Sequence, residues 1–87
     1  MRPVVFASIA QKDYEKWSHS NIKIFEKINV LIFDIDHRPY SGLGKPEPLK
    51  HELAGFWSRR INTKDRLVYQ ISPHNEIIII SCKGHYR

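Results

Sequence analysis

The chain has 87 residues, with 14 lysines and arginines against 9 acids and a net charge of +5. This length allows one domain, residues 1–87, with a single core layer and no separate regulatory domain. Cys82 is the only cysteine, which excludes an internal disulfide, and no apolar run nears the roughly 18 residues of a membrane span.

The opening MRPVVFASIAQKD has one arginine and a short apolar patch, soon followed by Glu15, and does not read as a signal peptide. A cytoplasmic protein with no membrane contact is expected. The positive balance suits a nucleic acid or an acidic protein as partner.

Pro3 to Ala7 has the β-branched and aromatic bulk of a short strand. Ser8, with Gln11 three residues on, predicts a capping box for a helix over about residues 9–18. Ala10, Tyr14 and Trp17 recur at helical spacing and mark its buried stripe. Ser20 or Asn21 caps a second helix, in which Ile24, Ile28, Leu31, Ile32 and Ile35 share one face. Pro39 ends it near His37.

Arg38 to Leu53 is a long connection holding Pro39, Gly42, Gly44, Pro46 and Pro48. Such a loop lies on the surface and can carry site residues. Three strands follow, at about 55–62, 66–72 and 76–82, and their short turns imply antiparallel pairing. The run Ile77 to Ile80 predicts a central strand buried on both faces. The expected fold is α+β: an N-terminal strand and two helices packed on one face of a mainly antiparallel sheet. The other face, or the rim near the long loop, is left for binding.

Strand parity sorts the arginines. Leu67, Tyr69 and Ile71 point to the helices, so Arg66 faces the open side. With Trp57 in the core, Arg60 joins Arg66, and Arg59 is expected to lean out at an edge over apolar surface. Cleaving a ribose–phosphate backbone without a metal needs a base near the 2′-OH and an acid at the departing 5′-oxygen. It also needs fixed positive charge on the phosphorus centre.

Arginine's planar fork suits the phosphate, and histidine's near-neutral titration suits the acid, for which His85 is the candidate. Glu47, held between Pro46 and Pro48, is a carboxylate in a stiff frame. Lys45 and Lys50 flank it and can reach phosphates. Taken singly, each of these side chains also reads as an ordinary solvated group, and the residues alone leave that open. His19, His37, His51 and His74 lack metal-ligand spacing, and Cys82 has no adjacent base.

The segments GKPEPLKHELAGFWSRRI and DRLVY, with the ending SC-x-x-HY, closely resemble the YoeB/Txe toxins of bacterial toxin–antitoxin systems, within the RelE-like superfamily. The similarity is strong from Lys45 through Tyr86 and continues weakly through the helices. It implies the RelE/YoeB-like microbial RNase fold. It implies a metal-independent, cofactor-free endoribonuclease that cuts mRNA on the translating ribosome. It also implies a cognate acidic antitoxin of the YefM/Axe kind, and leaves a homodimer open.

By this resemblance Glu47 is the general base, Arg66 stabilises the transition-state phosphate and His85 is the general acid. Tyr86 orients substrate or stacks on a base, and Lys50 and Arg60 bind phosphate. Lys83-Gly84 stands where relatives often carry arginine and an aromatic residue. Gly84 is expected to loosen the backbone before His85, and Arg87 extends the tail. Two rivals stand beside this reading: a non-catalytic basic translation inhibitor, and a gyrase-directed toxin of the same fold. The complete set of Glu47, Arg66 and His85 argues against the second.

Overall fold

A computed structural model of the chain describes residues 1–85. The elements run β1 (Val4–Phe6), α1 (Ser8–Ser20), α2 (Ile22–His37), β2 (Glu47–Pro48), a 3-10 turn (His51–Leu53), β3 (Trp57–Arg60), β4 (Arg66–Ile71) and β5 (Ile77–Ser81). The five strands form one sheet in the order β1-β5-β4-β3-β2. Only β1 and β5 pair in parallel; the other neighbours are antiparallel.

The two helices cover one sheet face. Ile28, Leu31 and Ile35 of α2 meet Leu67, Tyr69, Ile77 and Ile79, all fully buried. Each such aliphatic side chain contributes roughly 1.5–3 kcal/mol by leaving water. Ala10 is buried on α1, and Tyr14 and Trp17 pack beside it. The expected helical stripes are therefore the core stripes.

Several local expectations are corrected. Ser8 is the first residue of α1 and makes no side-chain cap, while the Gln11 amide bonds Glu15 instead. Asn21 does cap α2, its Oδ1 accepting from the Ile24 amide at 3.3 Å. β5 is not buried on both faces: Ile77 and Ile79 are core, while Ile78 and Ile80 are half-buried on the far side. The middle strand is β4.

The long connection is not wholly irregular either. It contributes β2, a two-residue edge strand, and the 3-10 turn. The ladder continues past β2 through the Leu49 amide to the Phe56 carbonyl at 2.9 Å. Two residues between prolines carry no alternation to read, and proline is tolerated because the edge needs no second set of donors. No helix among the described residues is long and apolar enough to cross a membrane.

Candidate active site

The register of the sheet assembles the open face. Arg60 of β3 stands directly opposite Arg66 of β4, and Glu47 of β2 directly opposite Ser58 of β3. Residues two apart on a strand share a face. Glu47, Ser58, Arg60 and Arg66 thus lie on the side away from the helices. Glu47 and Arg60 are exposed and Arg66 half-buried, over a floor of buried Ser58 and Val68. Along β3 the Glu47 row and the arginine row are about 7 Å apart. Arg66 Nη1 donates to the carbonyls of Asn62 (2.9 Å) and Asp65 (3.1 Å), which draws the guanidinium toward the β3–β4 turn. Among the described residues nothing accepts from its Nε or Nη2.

Arg59 does not lean out; it is the largest fully buried side chain. The same parity that sends Arg60 outward sends Arg59 inward beside Trp57. Its five N–H bonds are all used. Nη1 donates to Asp34 Oδ2 (2.6 Å) and the Leu43 carbonyl (3.1 Å). Nη2 donates to the carbonyls of Arg38 and Ser41, and Nε to the Tyr69 hydroxyl (3.2 Å). That hydroxyl in turn donates to the Pro39 carbonyl at 2.6 Å.

Asp34 closes the network. It accepts from Arg38 Nη2 (2.6 Å) and the Leu43 amide (2.9 Å) as well as from Arg59. Burial alone pushes its carboxyl up. The Leu43 amide and the two guanidiniums outweigh burial and hold it at about 2, against an ordinary 3.8. Gly42 is required where the loop crosses: a Cβ there would stand 2.3 Å from Asp34 Oδ2. The network fastens the first half of the connection, and Glu47 follows directly.

The tail is anchored at three points. A bulge between β4 and β5, where Val68 faces Ser81 but Tyr69 faces Ile79, re-aims the end of β5. Trp17 Nε1 then donates to the Cys82 carbonyl at 3.0 Å. The Gly84 amide donates to Asp65 Oδ1 (2.8 Å), and the Gly84 carbonyl accepts from the Arg66 amide (3.1 Å). Gly84 is thus tied at both ends rather than loosened. His85 is exposed and leaves this anchorage next to Arg66. Tyr86 and Arg87, the expected substrate-orienting residue and the tail extension, lie outside the described residues. Cys82 is buried, and burial, with Asp13 and Asp65, pushes its thiol up to about 12, so it stays protonated and inert.

Two depressions adjoin the face. Lys50 shares a hollow of about 300 Å³ with Glu47, His51 and Glu52. At the hairpin end, a cleft of about 500 Å³ is lined by Lys27, Lys45, Arg60 and Arg66 with the backbone around Gly44 and Asn62. Chemically, the face offers a carboxylate on one edge and two arginines in the middle, and the backbone anchored at Gly84 leads into His85. Sequence reading passed over Asp34, Lys27 and the Trp17 tether. Asp34 was detectable as a carboxylate three residues after Leu31, on the margin of the α2 core stripe.

Comparison with known proteins identifies the family and agrees with the fold. Residues 6–86 match the model of the YoeB-like toxin of bacterial type II toxin–antitoxin systems. A toxin YoeB of Synechocystis is 44% identical over 84 residues, covering 97% of this chain and 96% of that protein. A YoeB–YefM complex from Staphylococcus aureus superposes with a TM-score of 0.91 at 44% identity, covering 99% of both chains. A YoeB dimer from Staphylococcus aureus gives 0.91 at 43% identity, covering 98% of both. The chain belongs to the YoeB-like toxin family of bacterial type II toxin–antitoxin systems.

Proposed function

We propose that this toxin is a ribosome-dependent endoribonuclease that cuts mRNA in the cytoplasm and so halts translation. What carries the reading is the placement of Glu47, Arg60 and Arg66 on one sheet face, with the chain pinned at Gly84 just before His85. The ribose 2′-OH gives its proton to Glu47 as its oxygen attacks phosphorus. Arg66 and Arg60 hold the equatorial oxygens as negative charge gathers there. His85, as imidazolium, protonates the departing 5′-oxygen. The phosphorus–5′-oxygen bond breaks, leaving a 2′,3′-cyclic phosphate and a free 5′-hydroxyl. Lys45 and Lys50 steady flanking phosphates, and Tyr86 orients the base or ribose.

The chain requires no metal or cofactor for these steps. Its partner is an acidic YefM-like antitoxin, as in the staphylococcal complex, and it self-associates as the staphylococcal dimer does. The test is a ribosome-programmed mRNA with one 2′-deoxy residue at the mapped cut. Cleavage there is expected to vanish. His85→Gln and Glu47→Gln each lower the rate by about 10²–10⁴ while leaving the fold intact. Continued cutting at the deoxy position, or full growth arrest by both variants, sinks the proposal.

A further inference from the structure

The open face does not end at its paired arginines. It runs on, past the β3–β4 turn, into the 500 Å³ cleft against α2. Four cations line that cleft, Lys27, Lys45, Arg60 and Arg66, and among the described residues no carboxylate does. Among the described residues none of the four lies within ion-pair distance of an acid; every acidic ion-pair partner is Asp34 or Asp36. Like charges gathered without partners repel, and an anion between them relieves the repulsion.

The cleft is built rather than incidental. Gly44, at φ +77°, has a backbone that strains any side chain, and a Cβ there would press on the Arg60 carbonyl and a Leu31 methyl at 3.0 Å. Its carbonyl accepts from the Arg60 amide at 2.7 Å. This close approach presses the connection onto β3 and α2 and delivers Lys45 to the cleft opposite Lys27.

Two of the four cations, Arg60 and Arg66, are also the seat proposed for the scissile phosphate. An anion in the cleft is therefore next in line to that phosphate. We infer that the cleft binds the adjacent phosphate of the same RNA strand, with Lys27 and Lys45 as its cations. This rests on the ribonuclease reading and deepens it, adding Lys27 to the substrate-binding residues. Lysine suits the position because a point charge on a flexible stem holds a phosphate without imposing the two-point geometry chemistry needs.

The experiment measures binding, so it does not depend on turnover. A short RNA carrying 2′-deoxy at the cut is titrated against the purified toxin over a range of salt. Lys27→Gln is expected to lower the slope of log affinity against log salt by about 0.7, the value for one phosphate contact on a single strand. Lys27→Arg keeps the slope, and Lys12→Gln on α1 leaves it unchanged. Lys45→Gln, on an exposed loop, must lower it likewise, which guards against misfolding of the helix variant.

A neutral methylphosphonate is then moved through the linkages flanking the cut. One adjacent linkage is expected to weaken wild type and to cost Lys27→Gln nothing further. An unchanged slope in Lys27→Gln, beside a reduced one in Arg66→Gln, overturns the cleft assignment and leaves the nuclease reading standing. A reduced slope with no sensitive adjacent linkage also overturns it, because Lys27 then meets some other phosphate. No salt-dependent binding by wild type removes both.

Discussion

The two faces of β3 treat the same side chain in opposite ways. On the helix side, Arg59 is fully buried, with all five N–H groups donated and Asp34 as its counter-ion. On the other side, Arg60 is exposed, and among the described residues it has no acidic partner, nor do the cations that share its cleft, Lys27, Lys45 and Arg66. A buried charge must be paired because its lost hydration has no other compensation. An exposed cluster can stay unpaired, at a repulsive cost that a polyanion removes. The contrast separates the charge that builds the protein from the charge that the proposed function assigns to RNA, one residue apart in sequence.

The sharpest way to break that contrast is to remove each arginine in turn. Arg59→Met leaves Asp34 buried and short of a partner, and is expected to cost about 3–5 kcal/mol in chemical denaturation. A small domain has roughly 5–15 kcal/mol to lose. Arg60→Gln should keep stability within about 0.5 kcal/mol while lowering cleavage by about 10²–10³. If Arg60→Gln unfolds the protein, or Arg59→Met folds as well as wild type, the division of labour is wrong.

Acid offers a gentler probe of the same clamp. The Asp34 carboxyl lies at about 2, below its ordinary 3.8. In the window between those values the unfolded chain binds more protons than the folded one, so stability rises with pH. The contribution, about 2 kcal/mol, is whole above roughly pH 5 and is lost as pH falls toward 2. Urea titrations of wild type across that range should show the loss, and those of a folded Asp34→Asn variant should show less of it. Equal acid sensitivity in the two would place the loss in other carboxylates.

Much of this layout is legible in the sequence, for identifiable reasons. Helical spacing located the α2 stripe because one strong apolar period runs from Ile24 to Ile35. Parity put Arg60 beside Arg66 because strand side chains alternate without exception over four residues. The same parity also put Arg59 with Trp57 on the core side. A lone arginine there looks too costly to bury until its counter-ion is known, and Asp34 sits 25 residues away. β2 and the bulge at Ile80 are invisible for a related reason. Both are set by what the neighbouring strand offers, not by any pattern in their own residues. The site residues drew on motif resemblance, since Glu47 and His85 carry no periodic signal.

The segment from Cys82 to Gly84 leaves the end of β5, and Trp17 is one of its anchors. Its indole N–H links α1 to the segment leading to His85, donating to the Cys82 carbonyl at 3.0 Å, beside the longer contact of Cys82 Sγ with the Ala10 carbonyl. Trp17→Phe deletes that donor and trims the packed ring, so the expected loss of stability is about 1–3 kcal/mol. If the bond also aims His85, cleavage should fall several-fold while binding of a non-cleavable RNA is unchanged. A bridging 5′-phosphorothiolate separates the two effects, because its sulfur leaves without needing a proton. With that substrate the deficit of Trp17→Phe should disappear, as should that of His85→Gln. A deficit that persists would mean the tether supports the phosphate seat, through Gly84 and the Arg66 amide, and not the acid.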